Sequence, residues 1–214
     1  YTGNPIRKEM QDNMGSDNGR EMLGLDRVTP TILILGGSQG ARFINDVIMD
    51  ALPELVAKYQ IIHQTGKKNI SVIQETKDVV LQDNKFKDRY KPFDYLDVLH
   101  LRAAAGACDI VISRGGSVIF EIASWGKPAI IIPIPETTSH DQRSNAYSYA
   151  RSGAAEVIEE KNLAQGVLIS EIDRIVGNPE EREKMGKAGL AFARKDSARL
   201  IAQEIVAIAL EHDL

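Results

Sequence analysis

The sequence predicts an α/β domain: a parallel sheet of about six strands with helices on both faces, and further helices at the C-terminal end. Three observations carry this. Short runs rich in Ile, Leu and Val recur between residues 31 and 158, the pattern of strands buried on both faces. Between them lie segments whose apolar residues repeat at helical spacing, and strands alternating with helices imply a parallel sheet. The size fits as well, because 214 residues, 43% of them hydrophobic and 26% charged, can bury a substantial core.

The elements follow in order. Thr31–Leu35 is an apolar run that ends at Gly36-Gly37, a strand and its turn. Ile44, Val47, Ile48, Ala51, Leu52 and Leu55 then mark one face of a helix from roughly Gly40 to Lys58. Gln60–His63 reads as a strand that stops before Gly66, 69–81 as a helix, Asp88–Phe93 as a strand and 97–106 as an Ala- and Leu-rich helix. The alternation is clearer in the second half. Asp109–Ser113 is a strand, Gly116–Trp125 a helix, Pro128–Pro133 a strand closed by its second proline, 141–152 a helix and Ala155–Ile158 a last short strand. Helices over 163–176, 180–193 and 196–211 follow, punctuated by Gly177-Asn178-Pro179 and Asp196. Residues 8–28, polar and dotted with Gly15, Gly19 and Gly24, read as a mobile or inserted segment.

Composition narrows the function classes. Lys+Arg 26 against Asp+Glu 30, a formal charge of −4, argues against an extended basic surface for nucleic acid. The single cysteine, Cys108, rules out an internal disulfide framework and a Cys-rich zinc site, as a reducing cytosol would favour. No apolar run approaches the ~20 residues of a membrane helix and no signal peptide opens the chain, so the expectation is a soluble intracellular domain. The opening Tyr1-Thr-Gly-Asn-Pro lacks an initiator Met and suggests a piece of something longer.

In an open α/β sheet, ligands sit beyond the carboxyl ends of the strands, so the turns there matter most. Gly36-Gly-Ser-Gln-Gly-Ala41 joins a strand to a helix. Its glycines let backbone amides approach an anion, and the helix N-terminus adds its dipole. Ser38 stands where a dinucleotide fingerprint needs a glycine, and no Gly-Lys-Ser/Thr makes it a P-loop. Spacing alone does not choose between a phosphate cradle and a plain glycine turn. Ser113-Arg-Gly-Gly-Ser117 repeats the arrangement, with Glu121 four residues after Ser117 on the same helix face. A carboxylate there suits a sugar diol, although an ordinary helix-start glutamate is the simpler reading when it is taken alone. The loop Pro133–Asn145 carries Ser139-His-Asp-Gln-Arg-Ser-Asn145, dense in groups that read sugar hydroxyls. Nothing supports a catalytic role for His140. His63 and Cys108 read as packed residues, and Trp125 as packing its helix on the sheet. No paired-carboxylate, His-cluster or Ser–His–Asp pattern marks a catalytic centre, and no Asp-x-Asp motif marks a metal site.

These turns, in this order, resemble the C-terminal domain of the MurG family of peptidoglycan N-acetylglucosaminyltransferases. Thr2-Gly-Asn-Pro-Ile-Arg7 is similar to that family's interdomain junction, Gly36-Gly-Ser-Gln-Gly-Ala41 to its glycine loop, and His63-Gln-Thr-Gly66 to the strand end that follows. Ala107-Cys-Asp-Ile-Val-Ile-Ser-Arg114, Gly126-Lys-Pro-Ala-Ile-Ile-Ile-Pro133 and Gln142-Arg-Ser-Asn-Ala146 continue the match in register, which spans nearly all of the chain except roughly 11–28. The family is one of GT-B glycosyltransferases, in which two Rossmann-like domains face each other across a cleft. The resemblance therefore implies a Rossmann-like three-layer fold over 31–196, after a junction and mobile segment over 1–30 and before a C-terminal helix over 197–214.

The resemblance also implies roles. Arg7 and Ser38 would contact the diphosphate of a UDP-GlcNAc donor, with Gln39 and Gly40 in the same loop and backbone amides near Ser117 assisting; Arg114 counts with them. Glu121 would hold the ribose hydroxyls, Gln142 the GlcNAc hydroxyls, and backbone groups near Val98 the uracil edge, while Asn145 stiffens the sugar loop. The activity implied is inverting transfer of GlcNAc to undecaprenyl-diphospho-muramoylpentapeptide (lipid I), with no cofactor and no metal. The lipid acceptor, the membrane contact and any catalytic base would belong to an N-terminal domain outside this chain, and the parent enzyme would be cytoplasmic and peripheral on the inner membrane face. Two rivals share the fold: a UDP-GlcNAc 2-epimerase, which needs no lipid, and a noncatalytic sugar-nucleotide-binding subunit of a split transferase. A nicotinamide-binding domain is disfavoured by Ser38 and by the lack of a suitably placed acid after the second strand.

Overall fold

Six strands build one sheet: β1 Thr31–Leu35, β2 Gln60–Gln64, β3 Tyr90–Phe93, β4 Ile110–Ser113, β5 Ala129–Ile131 and β6 Ala155–Val157. This is a computed structural model, and it describes residues 3–37, 41–135 and 140–212. The strand order is β3-β2-β1-β4-β5-β6, and every neighbouring pair is parallel. The helices are α1 Ser16–Met22, α2 Arg42–Lys58, α3 Ile70–Val80, α4 Val98–Ala107, α5 Val118–Trp125, α6 His140–Arg151, α7 Gln165–Val176, α8 Pro179–Phe192 and α9 Ser197–His212.

Side chains alternate across the sheet, and both sides are covered. Ile32, Ile34, Ile61, Ile110, Ile112 and Ile130 pack with α2 and α7 on one side. Leu33, Leu35, Ile62, Val111, Ala129 and Ile131 pack with α4, α5 and the N-terminal strap on the other. That double burial explains why the strands read as continuous apolar runs. Element ends follow local chemistry. Pro128 and Pro133 lack a backbone N–H, and β5 is confined between them to Ala129–Ile131. Asp97 caps α4 by accepting from the His100 amide, and Asn178 caps α8 by accepting from the Glu181 amide, with Pro179 in the first turn. Asp88 and Arg89, expected to open β3, lie instead in a 3-10 turn over Lys87–Arg89.

The largest departure from expectation is the strap before β1. Residues 8–28, expected to be mobile or inserted, hold α1 against α4, and Met10, Leu23 and Leu25 are buried. Gly19 permits the approach: a Cβ there would stand 2.3 Å from the Ala103 carbonyl oxygen. Arg20, 6% exposed, donates to the carbonyls of Asp26 and Thr29, each at 2.9 Å, and to Asp109 Oδ2 at 3.0 Å. Trp125 acts on this strap too, its Nε1 donating to the Met10 carbonyl at 2.9 Å. The indole thus pins the strap in addition to packing its helix.

His63 is fully buried. Asn45 Oδ1 can only accept, so His63 Nε2 carries the proton and donates to it at 3.1 Å. Nδ1 then accepts from the Tyr90 hydroxyl at 2.8 Å. Burial lowers the His63 pKa from 6.5 to about 3. The unfolded chain binds this proton first, so stability falls as the pH drops from 6.5 towards 3. By pH 5.5 the loss should reach about 1.4 kcal/mol. Urea unfolding at pH 7.5 and 5.5 would measure it, and in His63→Gln the difference between the two should shrink.

Candidate functional site

The strand order reverses between β1 and β4, and there the two carboxyl ends diverge. Leu35 and Ser113 are register partners at that point. A cleft of about 770 Å³ opens above them, where a ligand is expected in such sheets. Gly36 and Gly37 lead towards α2 on one wall, and Arg114, Gly116 and Ser117 lead into α5 on the other. Gly37 has φ +79, a conformation glycine adopts without strain. The first turns of α2 and α5 both line the cleft, through Arg42, Phe43 and Val118. In α5 the Ile119 and Phe120 amides already donate to the Gly116 and Ser117 carbonyls at 3.2 Å, so what the two helix starts bring to this space is chiefly the positive ends of their dipoles.

The sequence-derived site residues are distributed as follows. Arg7, Arg114, Ser117, Glu121 and Gln142 line this cleft together. Ser38, Gln39 and Gly40 lie outside the described residues. Val98 is the first residue of α4 and does not line the cleft; from that stretch Tyr95, Leu96 and Leu101 do. Asp97 caps α4 between them, and within the helix it is Leu101, not Val98, that borders the cleft. Asn145 stands behind the wall, its Nδ2 donating to the Gly115 carbonyl at 3.3 Å, which ties α6 to the β4–α5 turn.

Both acids of the cleft are paired. Glu121, 8% exposed, receives Arg7 Nε on Oε1 at 2.7 Å and Arg7 Nη2 on Oε2 at 3.0 Å, a bidentate fork. The Glu121 hydrogen bond is the main cause raising the Arg7 pKa. Arg114 Nη1 donates to the carbonyls of Ile132 and Pro133 and to Glu160 Oε2, so that its charge is spent on fixing the loop after β5. Gln142 presents a buried Oε1 without a hydrogen-bond partner, an acceptor that a ligand donor would satisfy. Among the described residues, no group of three or more His, Cys, Asp or Glu side chains is arranged to hold a metal ion.

Sequence reasoning missed Gln64, Tyr95, Leu96 and Glu160. Gln64 ends β2, and its Oε1 accepts from the Leu96 amide at 2.9 Å, shaping that wall. The rule about carboxyl ends of strands points to Gln64, and to Glu160 just beyond β6; no residue pattern marks Tyr95.

Fold and cleft together define a class: a Rossmann-like α/β domain of the kind that forms one half of GT-B enzymes, with a cleft at the switch point of the sheet. The chain belongs to glycosyltransferase family 28, whose C-terminal domain model matches residues 31–204. It is 37% identical over 208 residues to a Bacillus cereus protein named UDP-N-acetylglucosamine–N-acetylmuramyl-(pentapeptide) pyrophosphoryl-undecaprenol N-acetylglucosamine transferase 2, covering 96% of this chain and 54% of that protein. The chain thus spans about half the length of the curated relatives it matches. Among solved structures, MurG of Acinetobacter baumannii shares the fold with a TM-score of 0.71 at 22% identity, covering 92% of this chain and 55% of that one. A putative UDP-N-acetylglucosamine 2-epimerase from Listeria monocytogenes shares it with a TM-score of 0.65 at 16% identity, over 94% and 50%. No helix among the described residues is long and apolar enough to cross a membrane.

Proposed function

We propose that this chain is the donor-binding half of an inverting glycosyltransferase that moves GlcNAc from UDP-GlcNAc to undecaprenyl-diphospho-muramoylpentapeptide. The observation that carries the reading is the cleft at the switch point, where two helix N-termini and the buried Glu121 carboxylate face the same space. The name of the Bacillus cereus relative supports the choice of donor and acceptor. In this reading the ribose diol donates to Glu121, GlcNAc hydroxyls meet Gln142, and the uracil lies along Tyr95 and Leu96. Ser38 and its loop are assigned to the diphosphate from the family resemblance, together with the α5 N-terminus.

The muramoyl hydroxyl attacks the anomeric carbon from the face opposite UDP, the bond to the diphosphate oxygen breaks, and the α-linked sugar becomes β-linked. Negative charge develops on the departing UDP, and preorganised helix ends stabilise it at the moment it forms. The acceptor, the base that takes its hydroxyl proton and the contact with the inner face of the plasma membrane are assigned to an N-terminal domain of the longer protein.

Calorimetric titration tests this. UDP-GlcNAc should bind saturably and NADH should not. Glu121→Ala should weaken UDP-GlcNAc roughly tenfold or more, the worth of hydrogen bonds to a charged acceptor. Absence of UDP-GlcNAc binding at millimolar concentration would defeat the reading, and interconversion of free UDP-sugars would reassign the chain to the epimerases.

A further inference from the structure

We propose that Asn45 and His63 are positioning residues for the diphosphate end of this cleft: the Asn45 amide, held by the His63 imidazole, sets where the first turn of α2 stands. The inference deepens the donor-binding reading, on which it rests.

Three observations carry it. The first is where the bonds fall. The Gly36 amide donates to the Gln64 carbonyl at 3.2 Å, and Asn45 Nδ2 donates to the Thr65 carbonyl at 3.1 Å. Consecutive carbonyls at the end of β2 thus pin the chain as it leaves β1 and again in the first turn of α2. Ala41, Arg42 and Phe43, between those anchors, line the cleft. The second is the N-cap. Ala41 stands there in α2 and carries no side-chain acceptor, whereas Asp97 and Asn178 cap α4 and α8. Ile44, Ile48, Leu52 and Leu55 press α2 on the sheet, but apolar contact is non-directional and specifies register less sharply than a hydrogen bond. The third is saturation. Asn45 is 1% exposed and His63 is fully buried. Asn45 Oδ1 accepts from His63 Nε2 at 3.1 Å, and the Tyr90 hydroxyl donates to Nδ1 at 2.8 Å. Turning the amide over would set Nδ2 against the His63 N–H and Oδ1 against the Thr65 carbonyl, so the network has one arrangement. That arrangement fixes Asn45, and with it the positive end of α2.

Uridine and UDP separate this role from general support of the fold, because they differ only in the diphosphate. The measured quantity is the ratio of their dissociation constants in this chain, with thermal unfolding run alongside. The wild-type chain should prefer UDP by roughly tenfold or more. Asn45→Leu keeps the bulk and removes both bonds. In it the preference should fall by roughly fivefold or more, while uridine affinity stays within about twofold of wild type. His63→Gln places a donor near where Nε2 stands, and His63→Asn, one methylene shorter, does not reach Asn45. The first should retain most of the preference, and the second should lose it as Asn45→Leu does. This pair carries the test if Asn45→Leu unfolds. Combining Asn45→Leu with His63→Asn should lose no more than either alone, the signature of two residues acting as one unit.

A wild-type preference in both Asn45→Leu and His63→Asn, whether the two ligands weaken alike or not at all, would make the network a support of the fold alone and overturn the proposal. A wild-type chain that binds uridine and UDP alike would take the diphosphate away from the α2 start, and this inference with it, while leaving nucleoside binding in place. Binding of neither ligand would instead bring down the donor-domain reading itself.

Discussion

Asp109→Ala is expected to lower the free energy of unfolding by about 3 kcal/mol, the low end for removing one partner of a buried ion pair. The Arg20 side chain is 7% exposed and Asp109 29%, so the substitution leaves a buried guanidinium that cannot shed its proton with carbonyl acceptors but no counter-charge. It also removes the acceptor that holds the Thr31 amide at 2.8 Å, where β1 begins. Two losses thus fall on one oxygen, at the junction of strap and sheet. A urea midpoint shifted down at unchanged slope would report it. Asp109→Asn, which keeps an acceptor but not the charge, should lie between. A midpoint within experimental error of wild type in Asp109→Ala would show that the Arg20–Asp109 pair contributes nothing to stability.

Gly115→Ala should have the second large effect, on the cleft. A Cβ at Gly115 would stand 2.3 Å from the Gln142 carbonyl oxygen and 3.4 Å from the Ala146 methyl. Backbone cannot yield as a side-chain tip can, so α6 must move away from the β4–α5 turn. The strain should cost about 1–3 kcal/mol of stability. The same shift breaks the Asn145 bond to the Gly115 carbonyl and withdraws Gln142 from the cleft. UDP-GlcNAc affinity should therefore fall about tenfold or more, beyond what a stability loss of this size explains. Gly116→Ala is the matched control: its Cβ would meet only Gln142 Nε2, at 4.0 Å, and its stability should stay near wild type. Undiminished binding by Gly115→Ala would mean that α6 takes no part in holding the donor.

The sheet was legible in the sequence because its strands are buried on both sides, and Thr31–Leu35 and Ile110–Ser113 therefore carry no polar residue to break the run until their ends. The strap was not. α1 reads Ser-Asp-Asn-Gly-Arg-Glu-Met, poor in helix formers and without an apolar stripe, and it is helical because Gly19 lets it rest on α4. Tertiary contact decided there, and no local pattern announces it. In the cleft, the turn rule located Arg114, Ser117 and Glu121. The Arg7–Glu121 fork joins residues 114 positions apart, a relation that neither spacing nor composition carries. Val98, placed by the family resemblance, is flanked by the residues that line the cleft, Tyr95 and Leu96 before the Asp97 cap and Leu101 after it.

The match to the family model begins at Thr31, and the strap lies before that boundary. A fragment cut at Thr31 would look like a whole domain in sequence, with every strand in place. It would nonetheless shed Ile6, Met10, Leu23 and Leu25 from the cluster on one sheet face, uncovering the Ala-rich side of α4 and the edge of Trp125. Such a fragment would be poorly soluble, its new apolar patch inviting self-association. It would also lose Arg7 and with it the fork that pairs the Glu121 carboxylate. The working unit of this half is therefore set by where the strap packs and not by where family similarity starts.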